Sequence, residues 1–523
     1  MIASRRLLLT LLVVAGASPL AFAADNDVLV RLRHTEQVDG RVMETARLLC
    51  DGIGPRLTGS PQARAAVELV RRQLAEWGLS NVHTERWDFG RGWNVERCSV
   101  HLLSPEAAPL IATPQAWTVG TRGIISGAAV HVRIGSESDL AQWHGRLAKK
   151  IVFLGIASPP PTPRVPHRLS DEELAALRSP GEPPTPPNAQ EFAARDRLQQ
   201  RLVSFFASEG ALAVIESGGS DSGTYLVVQA HAVLQLRRSL GVPALMMAGE
   251  HFGRVVRLLD SGASVRLELN VRTSFHEDDL TSANVIADLT GSDLAAEIVM
   301  VGAHLDSWHG GTGATDNAAG VAGAMEALRL LKVLGVQPRR TIRVALWTGE
   351  EQGLLGSRAY AAAHLGRRQE PKDELTRGLP FFLRPFAGVL EPKPDLARLD
   401  AYFNLDYGTG RIRGIYLEGN TAAAPLLTAW LSPLAELGVS VVSPHSLVGS
   451  DHQTFESLGA PSFAFLQDDL DYLTRSHHMN MDVLERLEPE DLSQVSVVTA
   501  WVLYRAALAD ERVPRPTLPS VRP

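Results

Sequence analysis

Along the second half of the chain, short apolar runs break off abruptly into charged or glycine-rich sequence. VMVGA at 299–303 is apolar without alternation, the pattern of a strand covered on both faces, and it stops at His304. TIRVALW at 341–347 is a second such run, closed by Gly349, Glu350 and Glu351, and AYFNL at 401–405 is a third, closed by Asp406. PSFAFL at 461–466 is a fourth, followed by an acidic segment at 467–471 and by His477 and His478. Between them, NAAGVAGAMEALRLLKVLG reads as a helix of small and apolar residues and QGLLGSRAY as a helix start. The stretch 421–437 reads as a further helix and 489–509 as a terminal amphipathic one. This alternation predicts a mixed α/β sandwich with a mainly parallel central sheet. In such a sheet ligands bind just past the carboxyl ends of the strands, where these polar residues fall.

The first half has a different rhythm. GPRLTGSPQARAAVELVRRQLAEWGL passes from a loop into a helix at Ser60 and Pro61, an N-cap followed by proline at the first helical position, and Gly78 marks its stop. Beyond residue 118, GAAVHVRI, KKIVFLG, GALAVIES and GVPALMMAG are short strand-like runs separated by turns. They predict a β-rich module at 119–263 that interrupts a catalytic domain, whose first segment is 24–118. VRLELNVR, near Val265, is expected to resume that domain, which then runs over 264–510 and leaves a loose tail at 511–523. Proline clusters within 158–187 predict an extended exposed loop, and the charged stretch 367–399 a rim or lid. Residues 1–23 read as an export signal: Arg5 and Arg6, an apolar run at 7–15, then Ala21, Phe22 and Ala23 as a cleavage site. The arginine pair also fits a twin-arginine signal; the general secretory route is the reading adopted, with a periplasmic or secreted product.

Composition narrows the classes. Over 523 residues a net charge of -7 gives no electrostatic reason to expect nucleic acid or an anionic membrane surface as a partner. Beyond the signal, no apolar stretch approaches membrane-spanning length. The only cysteines, Cys50 and Cys98, admit either one disulfide or two separate thiols, and neither lies near the polar strand ends.

Those strand ends carry the chemistry. An imidazole and a carboxylate two residues apart, His304 and Asp306, fit a metal ligand with an orienting partner. Asp316, at a helix start, is either an N-cap or a carboxylate shared by two metals. Glu350 and Glu351 can divide labour, one binding metal and one taking a proton. With Asp406 and one of His477 and His478, they make a nitrogen and oxygen set suited to zinc, and metal-assisted hydrolysis is the natural inference.

The strings HLDS, TDNAAG, GEEQGLLGS, NLDYG, GSDHQTFESLGAPSF and HHMNMD resemble the motifs of the co-catalytic zinc exopeptidases of metallopeptidase family 28. This family includes bacterial leucyl aminopeptidases and carboxypeptidase Q. The resemblance implies two zinc ions: one on His304 and Asp406, one on Glu351 and His478, with Asp316 bridging and Glu350 as general base. His478 is chosen over His477 because it stands four residues before Asp482; Asp306 matches the partner of the first histidine, and Ser450, Asp451 and His452 match supporting residues. It further implies the three-layer phosphorylase/hydrolase-like zinc-peptidase fold, an inserted protease-associated domain, and a peptide as substrate. The expected function is an exported aminopeptidase. Alternatives are a carboxypeptidase or dipeptidase of the carboxypeptidase Q type, a glutaminyl cyclase, and an inactive receptor-like ectodomain that would have lost Glu350 or ligands.

Overall fold

The computed structural model describes residues 19–156, 165–181, 188–218 and 241–518, with side chains from residue 27 onward. Residues 1–18 of the expected export signal, and most of the proline clusters, lie outside the described residues. The chain builds two eight-stranded sheets. In the first, the strands run in the order Ser80–Asp88, Thr281–Leu289, Arg340–Trp347, Leu294–His304, Leu399–Asn404, Ser462–Gln467, Ile412–Tyr416, Val441–Ser443. Its four central strands are parallel, and antiparallel pairings flank them on both sides. The fold is therefore mixed α/β, and the four apolar runs picked out by pattern are those central strands.

Alternate residues of each central strand serve two helical layers. Val299, Val301 and Ala303 pack, with Val344 and Phe403, against the helices Pro61–Glu76, Ala319–Val333 and Pro489–Leu508. Met300, Ala345, Trp347 and Tyr402 face the opposite layer, where Tyr360 and Phe455 cover them. The helix Ala319–Val333 is buried on nearly every side, which is why it is built from alanine, glycine and leucine. Gly320 shows how close the approach is: a Cβ there would lie 2.4 Å from the Leu405 carbonyl oxygen.

Four expectations change. The helix Pro489–Leu508 is not amphipathic: Leu492, Val495, Val498, Trp501 and Val502 are buried around its circumference because other elements enclose it. The stretch 421–437 is a short helix, Ala424–Leu431, between 3-10 turns, with Pro425 at its start and Pro433 beginning the second turn. The tail is docked as far as residue 518. Val513 is buried, Arg512 donates to Asp400, and Arg515 donates to the carbonyls of Leu396, Leu399 and Gly459. The last change concerns the boundary of the inserted module.

The second sheet runs Ala108–Leu110, Gly92–Ser104, Arg266–His276, Ile125–Val132, Lys150–Leu154, Ala213–Ser217, Ala244–Met247, Ala112–Pro114. Arg266–His276 pairs along the whole of Gly92–Ser104, from Gly92 opposite His276 to Ser104 opposite Arg266. The VRLELNVR strand thus closes the second sheet instead of resuming the first, and the sheets change over between 88 and 92 and between 276 and 281. Its burial alternates, as befits a strand covered differently on its two faces. The module is also less purely β than expected, since the helices Gly249–Asp260 and Ala189–Ser208 pack against its sheet. Cys50 belongs to the first core and Cys98 to the second sheet, and both are free thiols.

The two sheets meet through a cluster of the aromatic residues Phe89, Trp93, Trp117 and Trp308 with Met246. A second contact comes from the module's segment 165–181, where Arg168 reaches the buried Asp491 (2.6 Å) and Asp468 (3.3 Å). The stretch 367–399 is folded, with Gly366–Arg368 paired to Leu390–Pro392 and a short helix, Glu374–Gly378, between them. No described helix is long and apolar enough to cross a membrane.

Candidate metal centre

Parallel register brings the strand ends level. His304 pairs with Trp347 and Gly302 with Asn404, so His304, the 349–351 turn and Asp406 emerge at one edge of the sheet. His304 Nε2 lies 3.0 Å from Asp316 Oδ1 and 3.1 Å from Asp406 Oδ1. His478 Nε2 lies 2.9 Å from Glu351 Oε2 and 3.3 Å from Asp316 Oδ2. Asp316 therefore turns one oxygen to each of two ligand groups. The side chains of His304, Asp316, Asp406 and Glu351 are at most 8% exposed, whereas that of His478 is 31% exposed and marks the open side. Its ring stands edge-on to Trp308, with centroids 6.0 Å apart.

Asp316 does not cap the helix that follows. That work falls to Asn317, whose Oδ1 accepts from the Gly320 amide, which frees the aspartate to face the two histidines. Two buried groups set its position. Arg56, with no exposed surface, donates to the carbonyls of Leu305 (2.8 Å), Thr312 (2.7 Å) and Gly313 (2.7 Å), tying the glycine-rich loop to the strand end. The Asp482 carboxylate accepts from the Thr315 amide (2.6 Å), the Thr315 hydroxyl (2.8 Å) and the Asp316 amide (3.2 Å). Gly311 is required at that crossing, because a Cβ there would lie 2.5 Å from the Asp482 carbonyl oxygen.

Asp306 orients His304 differently from expectation. The imidazole Nδ1 donates to the Asp306 backbone carbonyl at 2.9 Å, while the nearest carboxylate oxygen is 3.8 Å away. The carboxylate instead accepts from the Thr58 hydroxyl (2.7 Å) and from the Glu350 amide (3.3 Å), so it holds the turn that carries Glu350. With Nδ1 committed, the Nε2 lone pair of His304 is left for a metal. Asp406 is fixed by a relay: Trp347 Nε1 donates to the Tyr402 hydroxyl, that to Asn404 Oδ1, Asn404 Nδ2 to Ser450 Oγ, and Ser450 to Asp406 Oδ2. His452 serves elsewhere, donating to the Leu447 carbonyl beside Glu418 and Glu456.

Electrostatics bear on what fills the site. Burial, reinforced by neighbouring carboxylates, raises Glu350 and Glu351 well above the usual carboxylate range. Burial would raise Asp316 as well, but its contacts with His304 and His478 hold it low. Asp316 Oδ2 and both Glu351 oxygens are buried and accept no hydrogen bond, although His478 Nε2 stands close to them. Buried oxygens that converge with no hydrogen-bond partner are what a divalent cation would satisfy. The residues present fit such ions. His304, Asp316 and Asp406 make one compact group, and Asp316, His477 and His478 another. His477 stacks on His478 at 3.9 Å, but His478 is the one that meets Glu351.

Sequence reasoning missed Arg56, Thr58 and the clamping role of Asp482. Arg56 stands in a loop read only as the start of the domain, and Asp482 served only to register His478. Neither position has periodicity to betray a buried polar role.

The α/β sheet thus gathers imidazoles and carboxylates at its carboxyl edge, in groups that could hold metal ions. Residues 284–502 match the model for Peptidase family M28. Carboxypeptidase Q of Mus musculus is 26% identical over 492 residues, covering 93% of this chain and 90% of its own length. Among solved structures, a Peptidase M28 precursor from Shewanella amazonensis superposes with a TM-score of 0.68 at 26% identity, covering 95% of this chain and 100% of its own. A zinc aminopeptidase from Bacillus subtilis shares the fold, with a TM-score of 0.56 at 19% identity, covering 90% of this chain and 96% of its own. The chain thus carries a peptidase family M28 domain over residues 284–502.

Proposed function

We propose that this chain is an exported dizinc exopeptidase that hydrolyses the amino-terminal bond of peptides. The observation that carries this reading is Asp316, whose two oxygens face His304 with Asp406 on one side and His478 with Glu351 on the other. His304 and Asp406 would hold one zinc, Glu351 and His478 the second, and Asp316 both. Bound there, the ions would lower the pKa of water and polarise the scissile carbonyl. Glu350, buried beside both groups, receives the proton of the attacking water and returns it to the leaving amine. Asp306 keeps Glu350 in place through its amide, and Trp308 walls the open side next to His478.

A second reading, a carboxypeptidase or dipeptidase, is favoured by one observation: the carboxypeptidase Q relatives align along nearly their whole length, inserted module included. A receptor-like chain would lack the base or a ligand, and none is missing here. The test is zinc content of the purified protein together with hydrolysis of free-amino and N-blocked dipeptides, with and without chelator. Two zincs per chain and chelator-sensitive cleavage confined to free-amino substrates support an aminopeptidase or a dipeptidase. Cleavage of N-blocked substrates points to a carboxypeptidase. One zinc with cyclisation of N-terminal glutamine would replace both with a glutaminyl cyclase.

A further inference from the structure

A cavity of about 680 Å³ opens between the helix Leu355–His364 and the folded stretch that follows it. Arg358, one turn into that helix, lays its guanidinium on the Phe381 ring, 4.5 Å from the centroid. Among the described residues its only acidic neighbour is Glu370 at 4.0 Å, and Glu370 is held more closely by Arg384 at 3.0 Å. The Arg358 guanidinium makes no hydrogen bond there, so all five of its N–H donors are uncommitted. Arg368, on the same wall, donates only to the carbonyls of Ser457, Phe386 and Gly388 and has no carboxylate partner. Of the other charges lining the cavity, Arg367 is paired with Glu391, and Asp88 is an exposed carboxylate.

The cavity adjoins the catalytic turn. Trp87 forms part of its wall, and the tip of that ring sits so close to Gly349 that a Cβ would lie 2.6 Å from it; Glu350 is the next residue. A planar guanidinium stacked on an aromatic ring, with its fork of donors free, is built to take the two oxygens of a carboxylate. Its partly buried setting strengthens such a bond relative to water.

We propose that this cavity is a carboxylate-binding subsite for the peptide substrate, with Arg358 as its principal receptor and Arg368 supplying further positive charge. The proposal rests on the peptidase reading above. The carboxylate comes either from the chain terminus or from an acidic side chain, and one substrate series separates them. The zinc-loaded full-length enzyme is assayed on a single tetrapeptide prepared as C-terminal acid or amide, and with Glu or Gln at its third position. For one of these pairs the charged member is expected to have a kcat/KM at least about tenfold above its neutral counterpart, which identifies the source. In Arg358→Gln that ratio is expected to fall close to one. Because both members of a pair are measured on the same variant, any loss of folded protein cancels. A ratio near one for both pairs in the unaltered enzyme, or a ratio that survives Arg358→Gln, overturns the subsite and leaves the peptidase reading standing. No turnover of any form removes both.

Discussion

Asp482 touches no ligand group directly, yet the geometry makes it the residue on which the bridging carboxylate depends. Its Oδ1 takes two bonds from Thr315 and its Oδ2 one from the Asp316 amide, all at a site that is 4% exposed. Asp482→Asn keeps the shape but replaces one oxygen with a donor. If the remaining oxygen serves Thr315, the new amide group confronts the Asp316 N–H, donor against donor. An unsatisfied buried polar group costs about 1–3 kcal/mol, enough to pull the Asp316 backbone out of register with His304 and His478. Loss of such a supporting contact typically weakens metal binding about 10–100-fold, roughly 1.4–2.7 kcal/mol. The assay is zinc affinity by competition with a chromophoric chelator, with near-ultraviolet circular dichroism to show that the variant is folded. A folded Asp482→Asn protein that binds zinc within about twofold of the unaltered chain would refute the clamping role.

Glu350→Gln is expected to lower kcat by about 10²–10⁴-fold with zinc content unchanged; retained turnover would remove Glu350 as the base. Truncation after Asp510 removes the buried Val513, worth about 1.5–3 kcal/mol, and the Arg512 bond to the buried Asp400. A lower urea midpoint is expected, and an unchanged one would show that the docked tail contributes nothing. Burial raises Glu456 to about 8 from 4.5. The folded chain keeps a proton there that the unfolded chain releases, so its contribution to stability declines as pH rises from about 4.5 to 8. Glu456→Gln should abolish that slope, so its melting temperature should gain on the unaltered protein between pH 5 and pH 8; parallel curves would count against the shift.

The central strands could be read from sequence because burial on both faces leaves few polar residues to blur the run, and because each ends in a sharp chemical break. The module's boundary could not. Gly92–Ser104 and Arg266–His276 lie 162 residues apart at their nearest paired ends, Ser104 with Arg266, and nothing local in VRLELNVR says which sheet will receive it. Pairing partner is a tertiary choice, and either sheet offers an antiparallel edge. The same holds for the last helix. Its polar residues, among them Ser496 and Thr499, imply a solvent face, yet both are buried, with the Ser496 hydroxyl turned back to the Leu492 carbonyl. A side chain that satisfies itself locally can be polar in sequence and interior in space.

The site divides along a related line. Residues that converge on a metal advertise themselves, because histidine and carboxylate at successive strand ends have few other reasons to recur. Residues that hold them there carry no such mark. Arg56 spends its donors on five main-chain carbonyls, and those carbonyls belong to whatever residues happen to lie at 49, 54, 305, 312 and 313. Thr58 acts through one hydroxyl on Asp306, and Asp306 acts on His304 through its backbone instead of the carboxylate that drew notice to it. The Asp306 carboxylate is thereby released to fix the Glu350 amide. One residue thus couples His304 to the Glu350 turn: its carbonyl sets the imidazole and its side chain sets the turn. A change at Asp306 should therefore disturb proton transfer as well as metal binding, whereas a change at Thr58 should reach Glu350 without altering the bond that holds His304.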